Sequence, residues 1–293
     1  MIQNDAEILQ RMVENWQKKI PDYVDKLKDK ILGRIVMPNR SVGADVAIDV
    51  VQHFQRNGAG AQILAKGVPP KGSSFDASSI PFEIFQMLDG FHINEKDLKL
   101  DSSINDRLMD IVMKNITRLE NSTIIAGNAS KGILGIAGMA NANPLGTFTA
   151  TAGPWNGSGA ARDIYNDLLN AMDLMDTKFE PRFLIGNKRD LDKLFALDTV
   201  QKQPFWKQAA WLFGKTDRDD PRSWMVPVDT TVLPQGFAYM STYDEEAAEF
   251  VISENPQVRR IAQQPGGNYP IEVYEWVAVE GHNNGGFVKI KTN

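Results

Sequence analysis

The sequence SSINDRLMDIVMKNITRLENSTIIA, residues 102–126, is followed by Gly127 and predicts one long amphipathic helix. Apolar side chains recur in it at spacings of three and four, the period of one helix face: Ile104, Leu108, Ile111, Val112, Ile116 and Leu119. Ser102 or Ser103 can cap the N-terminus, and Gly127 can adopt the left-handed conformation that ends a helix. At 1.5 Å per residue the helix is about 36 Å long, which is twice the usual length. We therefore expect it to support several other elements.

Composition excludes several classes of protein. The chain has 293 residues, 42% of them hydrophobic and 24% charged, which suits one large globular domain or two ordinary ones. Its net charge of −5 argues against a protein whose whole surface grips nucleic acid. The absence of cysteine excludes disulfides, zinc–thiolate sites and thiol nucleophiles. The sequence contains no apolar run of the length, about 18 residues, that predicts a membrane span, and its first residues lack a signal-peptide pattern.

The N-terminal region predicts a helical arm. Residues 5–31 carry an apolar stripe that Pro21 interrupts, so we expect a helix broken once at that position. The stripe has no core of its own and must cover its own domain, a neighbouring subunit or a cargo surface. The lysines and aspartates of 18–30 alternate, which is typical of a solvated face; a surface that faces nucleic acid is the alternative.

A projecting hairpin is predicted next. Alternating Val46, Ile48 and Val50 precede a turn cluster at 57–60, and 61–64 provides the expected second strand. Residues 66–79 are rich in glycine, proline and serine and predict an extended loop. The hairpin is either an ordinary surface feature or an arm that reaches a neighbour.

The remaining pattern mixes helices and strands without regular alternation. Residues 81–93 predict a bent or bulged strand in which Gly90 is a candidate break, and 131–140 predict a glycine-laced apolar loop. We expect helices at 160–176, 188–197 and 205–213, and strands at 183–186, 224–242 (around a turn at 234–236), 247–252, 271–279 and 287–290. This order predicts an α+β fold and not a doubly wound α/β fold.

One motif resembles the guanine-specificity sequence NKxD of GTPases. Asn187, Lys188, Arg189 and Asp190 follow an apolar strand, as that motif does. Its necessary companion is a phosphate-binding loop, and the nearest match, GVPPKGSS at 67–74, lacks the lysine after the second glycine. The structural interpretation is therefore favoured, with Asn187 or Asp190 capping a helix.

The other polar clusters predict no catalytic site. Asp217, Asp219 and Asp220 could bind a hard cation, but EF-hand spacing is absent and neighbouring arginines can balance their charge, so a solvated loop is expected. The three histidines, His53, His92 and His282, are far apart in sequence, and the tryptophans at 206, 211, 224 and 276 are typical of core or interface anchors. No nucleophile elbow or dinucleotide fingerprint occurs. We expect no enzyme, no cofactor and no metal.

The order of elements resembles the Hong Kong 97-type major capsid fold of tailed phages, which encapsulin shells share. The resemblance is carried by IPFEI at 80–84, ENSTIIAG at 120–127, ILGIAG at 133–138 and YPIEVYEWVAV at 269–279. It implies an N-terminal arm at 1–44, an extended loop at 45–80, a peripheral domain with a spine helix at 81–125 and 243–283, and an axial domain at 126–242 and 284–293.

The function implied by the resemblance is structural. The chain would be a major capsid protein that assembles through many symmetric contacts into an icosahedral shell of hexamers and pentamers around double-stranded DNA. Scaffolding, portal and decoration proteins are the further partners implied, with DNA held by non-specific contact, no membrane involved, and assembly in the host cytoplasm. An encapsulin shell that encloses a cargo enzyme is the alternative, with 5–31 lining the cargo pocket. In some relatives a loop lysine cross-links to an asparagine; Lys66 and Lys71 lie in that region, although we expect ordinary exposed lysines.

Overall fold

The structure is a computed structural model that describes residues 2–27, 33–44, 48–58, 73–94, 102–151, 154–155, 161–197, 202–262 and 268–292. Its α-helices are α1 (Ile2–Leu27), α2 (Gly33–Val36), α3 (Ser102–Ala126), α4 (Gly135–Asn141), α5 (Ala161–Met172), α6 (Lys188–Leu191) and α7 (Phe205–Ala209). Its strands are β1 (Asn39–Ser41), β2 (Ile48–Gly58), β3 (Ser73–Glu83), β4 (Phe85–Asn94), β5 (Thr147–Thr149), β6 (Phe183–Asn187), β7 (Met225–Val228), β8 (Phe237–Ser241), β9 (Ala248–Arg260), β10 (Asn268–Gly281) and β11 (Phe287–Lys291).

The long helix is confirmed as a single element, α3, from Ser102 to Ala126. Gly127 ends it as predicted, with φ of +80° and an N–H that bonds to the Thr123 carbonyl at 2.9 Å. A Cβ at this position would lie 2.3 Å from the Leu134 carbonyl oxygen, so both the backbone conformation and the close approach require glycine. The chain leaves α3 through this turn and enters α4.

The buried face of α3 differs from the predicted one. Ile111 and Leu119 are 53% and 42% exposed, so their predicted place on the packed face was wrong. The helix instead buries these side chains: Met109, Val112, Met113, Ile116, Thr117, Glu120, Thr123, Ile124 and Ile125. The apolar positions of the sequence cover an arc too wide for one contact, and periodicity does not say which part of it meets the sheet. Packing against β4 and β10 selects the part that includes Ile116.

Helix α1 is continuous through Pro21, so the predicted break at that residue was wrong. Trp16 and Ile20 before the proline and Tyr23 after it are all buried in the same cluster as Met109 of α3. Tertiary burial on both sides of Pro21 keeps the helix formed, because most helix stability in proteins comes from packing of the apolar face. Of the three surfaces considered for the arm, α1 covers its own domain, where it contacts β9 and α3.

Two sheets organise the described chain. A four-stranded sheet has the order β1-β9-β10-β4, with β1 parallel to β9 and the other neighbours antiparallel. A five-stranded sheet has the order β5-β11-β8-β6-β7, and every residue of β6 is buried. The largest hydrophobic cluster surrounds the second sheet and reaches α3 through Ile124 and Ile125. Helix α3 therefore joins the packing of both sheets, and the α+β prediction is confirmed.

The hairpin is longer than predicted and uses a different partner strand. Strands β2 and β3 pair antiparallel from Ile48↔Glu83 to Gly58↔Ser73, so the predicted pairing of 46–50 with 61–64 was wrong. The stretch 66–79 was predicted as loop, yet its last part, from Ser73, is strand; 59–72 lie outside the described residues. Serine-rich sequence gives no apolar signal, whereas a two-stranded ladder is held by backbone hydrogen bonds that any side chain permits.

Two glycine-containing segments also differ from expectation. The strand does not break at Gly90, which lies inside β4 opposite Glu272; the ladder changes partner at Ile84, between β3 and β4. A Cβ at Gly90 would lie 2.5 Å from the Ile271 carbonyl oxygen, so this glycine permits close strand approach. The glycine-laced stretch predicted as loop contains helix α4, in which Ile136, Met139 and Ala140 are buried. Tertiary burial there offsets the low helix propensity of glycine.

Candidate assembly surfaces

The β2–β3 ribbon is a long, two-stranded surface feature of the described chain. It is a separate two-stranded sheet of eleven paired residues per strand, about 36 Å long at 3.3 Å per residue. Within the described residues neither strand pairs with a third, so both outer edges keep unpaired backbone groups. At the base of the ribbon Phe82 packs edge-on against His282, with ring centroids 5.8 Å apart. The ribbon is thus anchored at one end and offers its edges along the rest of its length.

A second feature is a strap, residues 33–41, that ties the N-terminal region to the rest of the molecule. Val36 and Met37 of the strap are fully buried with Met87, Ile124 and Ile125. Strand β1 then continues the strap alongside β9, and the Phe250 N–H donates to the Pro38 carbonyl at 2.8 Å. Each end of the strap also carries an arginine that reaches a pair of glutamates.

The first arginine cluster, Arg34 with Glu120 and Glu275, is buried between α2, α3 and β10. Arg34 Nε donates to Glu120 Oε1 at 3.2 Å, and Arg34 Nη2 donates to Glu275 Oε2 at 3.2 Å. Burial raises the pKa of Glu120 above its ordinary value, against the lowering effect of Arg34. The pKa of Glu275 lies well above its ordinary value, first because of burial and then because of the nearby Glu120 charge.

The second arginine cluster joins Arg40 to Glu249 and Glu280. Arg40 donates from Nε to Glu249 at 2.8 Å and from Nη2 to Glu280 at 2.6 Å. His282 Nε2 lies 3.5 Å from the same Glu249 oxygen. Glu249, Glu280 and His282 are the one group of potential metal ligands that converge in the described chain. The Arg40 guanidinium already supplies the cation that these carboxylates need, so the arrangement fits an ion-pair network.

The residues of the GTPase-like motif have structural roles. Asn187 caps α6 as predicted: its side chain accepts a bond from the Arg189 N–H at 3.1 Å and donates to the Leu233 carbonyl at 3.0 Å. Asp190 is fully buried, and its Oδ2 accepts bonds from the Gly236 N–H and the Thr292 hydroxyl. A carboxylate occupied in this way inside the protein is not presented to a guanine base.

The aspartate cluster also serves local structure. Asp219 accepts bonds from the backbone and hydroxyl of Thr216, and these bonds lower its pKa. Asp220 accepts a bond from the Arg222 N–H and so caps the following 3-10 turn. His92 is exposed, and the side chain of His53 and the residues Lys66 and Lys71 lie outside the described structure. The structure therefore does not gather the candidate residues of the sequence into one site.

A groove lies beside the edge strand β7. Its volume is about 560 Å³, and its walls come from β7, from α6 with the following turn, and from the chain before β7: Lys188, Leu191, Asp192, Phe195, Pro221, Arg222, Met225, Pro227, Val228 and Asp229. Phe195 on its rim is 50% exposed, and the nearby Leu197 is 66% exposed. Of the tryptophans at 206, 211, 224 and 276, which were predicted as core or interface anchors, Trp224 is fully buried and Trp211 is 55% exposed. This end of the five-stranded sheet presents apolar side chains to solvent.

The fold matches solved shell proteins along nearly its whole length. The capsid of Myoviridae phage XM1 has 11% identity and a TM-score of 0.65, over 89% of this chain and 90% of that chain. The capsid of a native GTA particle has 11% identity and a TM-score of 0.63, over 89% of this chain and 90% of that chain. A virus-like particle from Pyrococcus furiosus has 13% identity and a TM-score of 0.56, over 92% of this chain and 99% of that chain. No protein-family model and no curated protein sequence matches. The chain therefore has the Hong Kong 97-type capsid fold.

Sequence reasoning missed the two arginine clusters. Glu120 is a charged residue four positions after Ile116 and four before Ile124, on the buried face of α3, and this position was the available signal. Its partners Arg34 and Glu275 lie 86 and 155 residues away along the chain, and only the fold brings them together.

Among the described residues, no helix is long and apolar enough to span a membrane.

Proposed function

We propose that this chain is a major capsid protein of a tailed virus, which assembles into an icosahedral shell around double-stranded DNA. The observation that carries the proposal is the shared architecture with the XM1 capsid over about nine-tenths of both chains. The described residues include surfaces suited to assembly: a projecting ribbon with unpaired edges, and exposed apolar side chains beside β7.

Within such a shell the parts of the subunit would have separate roles. We assign 1–44 to the N-terminal arm, 45–80 to the extended loop, 81–125 with 243–283 to the peripheral domain, and 126–242 with 284–293 to the axial domain. The four-stranded sheet packs on α3, and all five strands of the five-stranded sheet lie in the two proposed axial segments, which supports this division. The ribbon edges would lap a neighbouring subunit, because an unpaired strand edge is a template for pairing.

The proposal extends to partners and location. Hexamers and pentamers of the chain would form the virion capsid, assembled in the host cytoplasm with scaffolding, portal or decoration proteins. Packaged DNA would be held by non-specific contact, which is compatible with the net charge of −5. The chain would act as a structural protein and not as an enzyme.

Electron microscopy of the purified full-length chain tests this proposal. Negative stain should show closed shells of uniform diameter under at least one assembly condition, because many weak symmetric contacts close only at defined curvature. Monomers or dimers under every salt, pH and concentration tested would contradict it. A variant that keeps the folded subunit but lacks most of the ribbon, residues 50–81, serves as the matched comparison and should not form shells.

An encapsulin-type compartment is the second candidate, favoured by two observations. The virus-like particle from Pyrococcus furiosus matches over 99% of its chain, and α1 lies on the subunit's own four-stranded sheet, where a cargo pocket would be expected. The capsid hypothesis has the greater support, since most matching structures are phage capsids. Neighbouring genes separate the two: terminase, portal and protease genes indicate a virus, whereas a ferritin-like or peroxidase gene indicates a compartment.

A further inference from the structure

The cluster of Arg34, Glu120 and Glu275 contains more acid than base. Both glutamate side chains are almost entirely buried, at 2% and 0% exposure, and the Arg34 side chain is 18% exposed. Arg34 reaches one oxygen of Glu275, and the other, Oε1, has no hydrogen-bond partner among the described residues. Both glutamates accept bonds from the same Arg34 guanidinium, so two buried carboxylates share one cation. Two carboxylates that share a buried site do not both ionise readily, and one of them tends to keep its proton.

Within the part of the chain that the structure describes, the surrounding elements offer no second cation for this pair. The charges that act on Glu275 are Glu120 from α3 and Arg34 from α2. Strand β4 places Met87 opposite Glu275, and on β9 the nearest charged residue in the ladder is Glu254, paired with Trp276. Helix α4, which packs against α3, has no ionisable side chain. One shared proton makes the cluster neutral, whereas its loss leaves an uncompensated buried negative charge.

The strap depends on this cluster for its docking. Arg34 is the polar contact of α2 with both α3 and β10, and the next residues to dock are Val36 and Met37. When the strap lifts, Arg34 leaves and water reaches Glu120 and Glu275, which then ionise like ordinary glutamates. We propose that the strap, residues 33–41, is a proton-coupled latch whose docking takes up one proton on the Glu120–Glu275 pair. This inference concerns one subunit and does not depend on shell formation.

The direction of the pH dependence follows from the raised pKa values. Both glutamates have folded-state pKa values above their ordinary ones, so the docked strap holds a proton that the lifted strap releases. The stability of docking is therefore fully present below the ordinary glutamate pKa, about 4.3, and is lost as pH rises toward the raised pKa of Glu275. In that window the opening constant of the strap should rise up to about tenfold per pH unit.

Hydrogen exchange of the full-length chain tests the latch. The Val42 N–H directly follows the strap and donates to the Ile252 carbonyl of β9 at 3.1 Å, so we expect its protection to depend on the docked strap. Where reclosing is faster than exchange, an uncoupled amide gains about tenfold in rate per pH unit. The latch should raise this to as much as about a hundredfold per pH unit between the ordinary glutamate pKa and the raised pKa of Glu275. A tenfold dependence at Val42 in the parent protein would overturn the proposal.

Two substitutions separate proton coupling from simple packing. Glu275→Gln keeps the size of the side chain but cannot ionise, so the exchange of Val42 should return to about tenfold per pH unit. Glu249→Gln is the matched control, because Glu249 belongs to the Arg40 cluster on the same strap, and it should keep the steeper dependence. A steep dependence that persists in Glu275→Gln would also overturn the latch.

A spectroscopic measurement guards against a variant that fails to fold. A buried protonated carboxyl gives an infrared C=O band separate from that of carboxylates, and the parent protein should show it at a pH above the ordinary glutamate pKa, where exposed glutamates are ionised. Glu120→Gln and Glu275→Gln each leave a single glutamate beside Arg34, which then ionises, so either folded variant should lose the band. A parent protein without the band at every pH above the ordinary glutamate pKa would contradict the shared proton.

Discussion

At the residue scale, Gly127 and Gly132 show how one backbone conformation can have two different costs. Both residues are left-handed, with φ of +80° and +73°. A Cβ at Gly127 would lie 2.3 Å from the Leu134 carbonyl oxygen, whereas a Cβ at Gly132 would meet nothing within 4 Å. The sequence predicted the left-handed role of Gly127, but only the return of the chain into α4 explains why space is lacking there.

This pair gives a prediction for stability. Gly132→Ala should lower the free energy of unfolding by about 1–2 kcal/mol, the cost of a left-handed non-glycine residue. Gly127→Ala should lose about 1–3 kcal/mol more, because the carbonyl groups of Ile133 and Leu134 must move. Urea unfolding of the two variants measures the difference; equal losses would show that the close approach carries no cost.

Asn187 and Asp190 show the limits of a motif at the same scale. The cap by Asn187 could be predicted, because asparagine before a short helix accepts a bond from the second N–H that follows. The burial of Asp190 could not, since its partners Gly236 and Thr292 lie 46 and 102 residues away. A four-residue match thus described local geometry and left the environment of each side chain open.

At the scale of elements, α3 was predicted to the residue at its C-terminal end, but its rotation about its own axis was not. Two isoleucines on this helix provide a matched comparison, since Ile116 is 2% exposed and Ile111 is 53% exposed. Their exposures imply that the helix can lose the Ile111 side chain without losing its contact with the sheet.

We expect Ile116→Ala to lower the free energy of unfolding by about 2–5 kcal/mol, because a buried isoleucine leaves a cavity. Ile111→Ala should change it by no more than about 0.5 kcal/mol, as for exposed positions in general. Both substitutions alter helix propensity equally, so denaturant unfolding isolates the effect of burial. A similar loss at Ile111 in the isolated subunit would contradict the orientation of α3.

In helix α1, tertiary packing outweighs a local rule about proline. Proline in a helix interior removes one hydrogen bond and usually interrupts the helix, and that local rule predicted a break at Pro21. The rule failed because Trp16, Ile20 and Tyr23 share one buried cluster on both sides of the proline. An interior proline costs a helix about 3 kcal/mol, and the burial of three large side chains, at about 1.5–3 kcal/mol each, outweighs that cost.

At the scale of the whole molecule, the ribbon can be separated from the folded subunit. Asp49 and Phe82 are ladder partners at its base, so deletion of residues 50–81 and closure through Asn-Gly should form a short hairpin. The thermal midpoint should stay within a few degrees of the parent, because the deleted ladder pairs with no other strand in the described chain.

The same variant should fail to form shells if the ribbon edges lap a neighbouring subunit. Gel filtration and negative stain would then show folded subunits or small oligomers under conditions in which the parent chain assembles. Normal shells built from the shortened chain would remove the ribbon from the assembly contacts. A collapsed thermal midpoint would instead contradict the description of the ribbon as an independent sheet.

The sequence by itself determined the local features of this protein: the long helix with its glycine end, most other helices and strands, the α+β class, and an element order that resembles a capsid shell protein. These follow from periodicity, caps and turns, which act over a few residues. Only the tertiary structure determined which face of α3 is buried, where the ribbon finds its second strand, and how Arg34 meets Glu120 and Glu275. Those outcomes depend on contacts between residues far apart in the chain, for which one sequence carries no periodic signal.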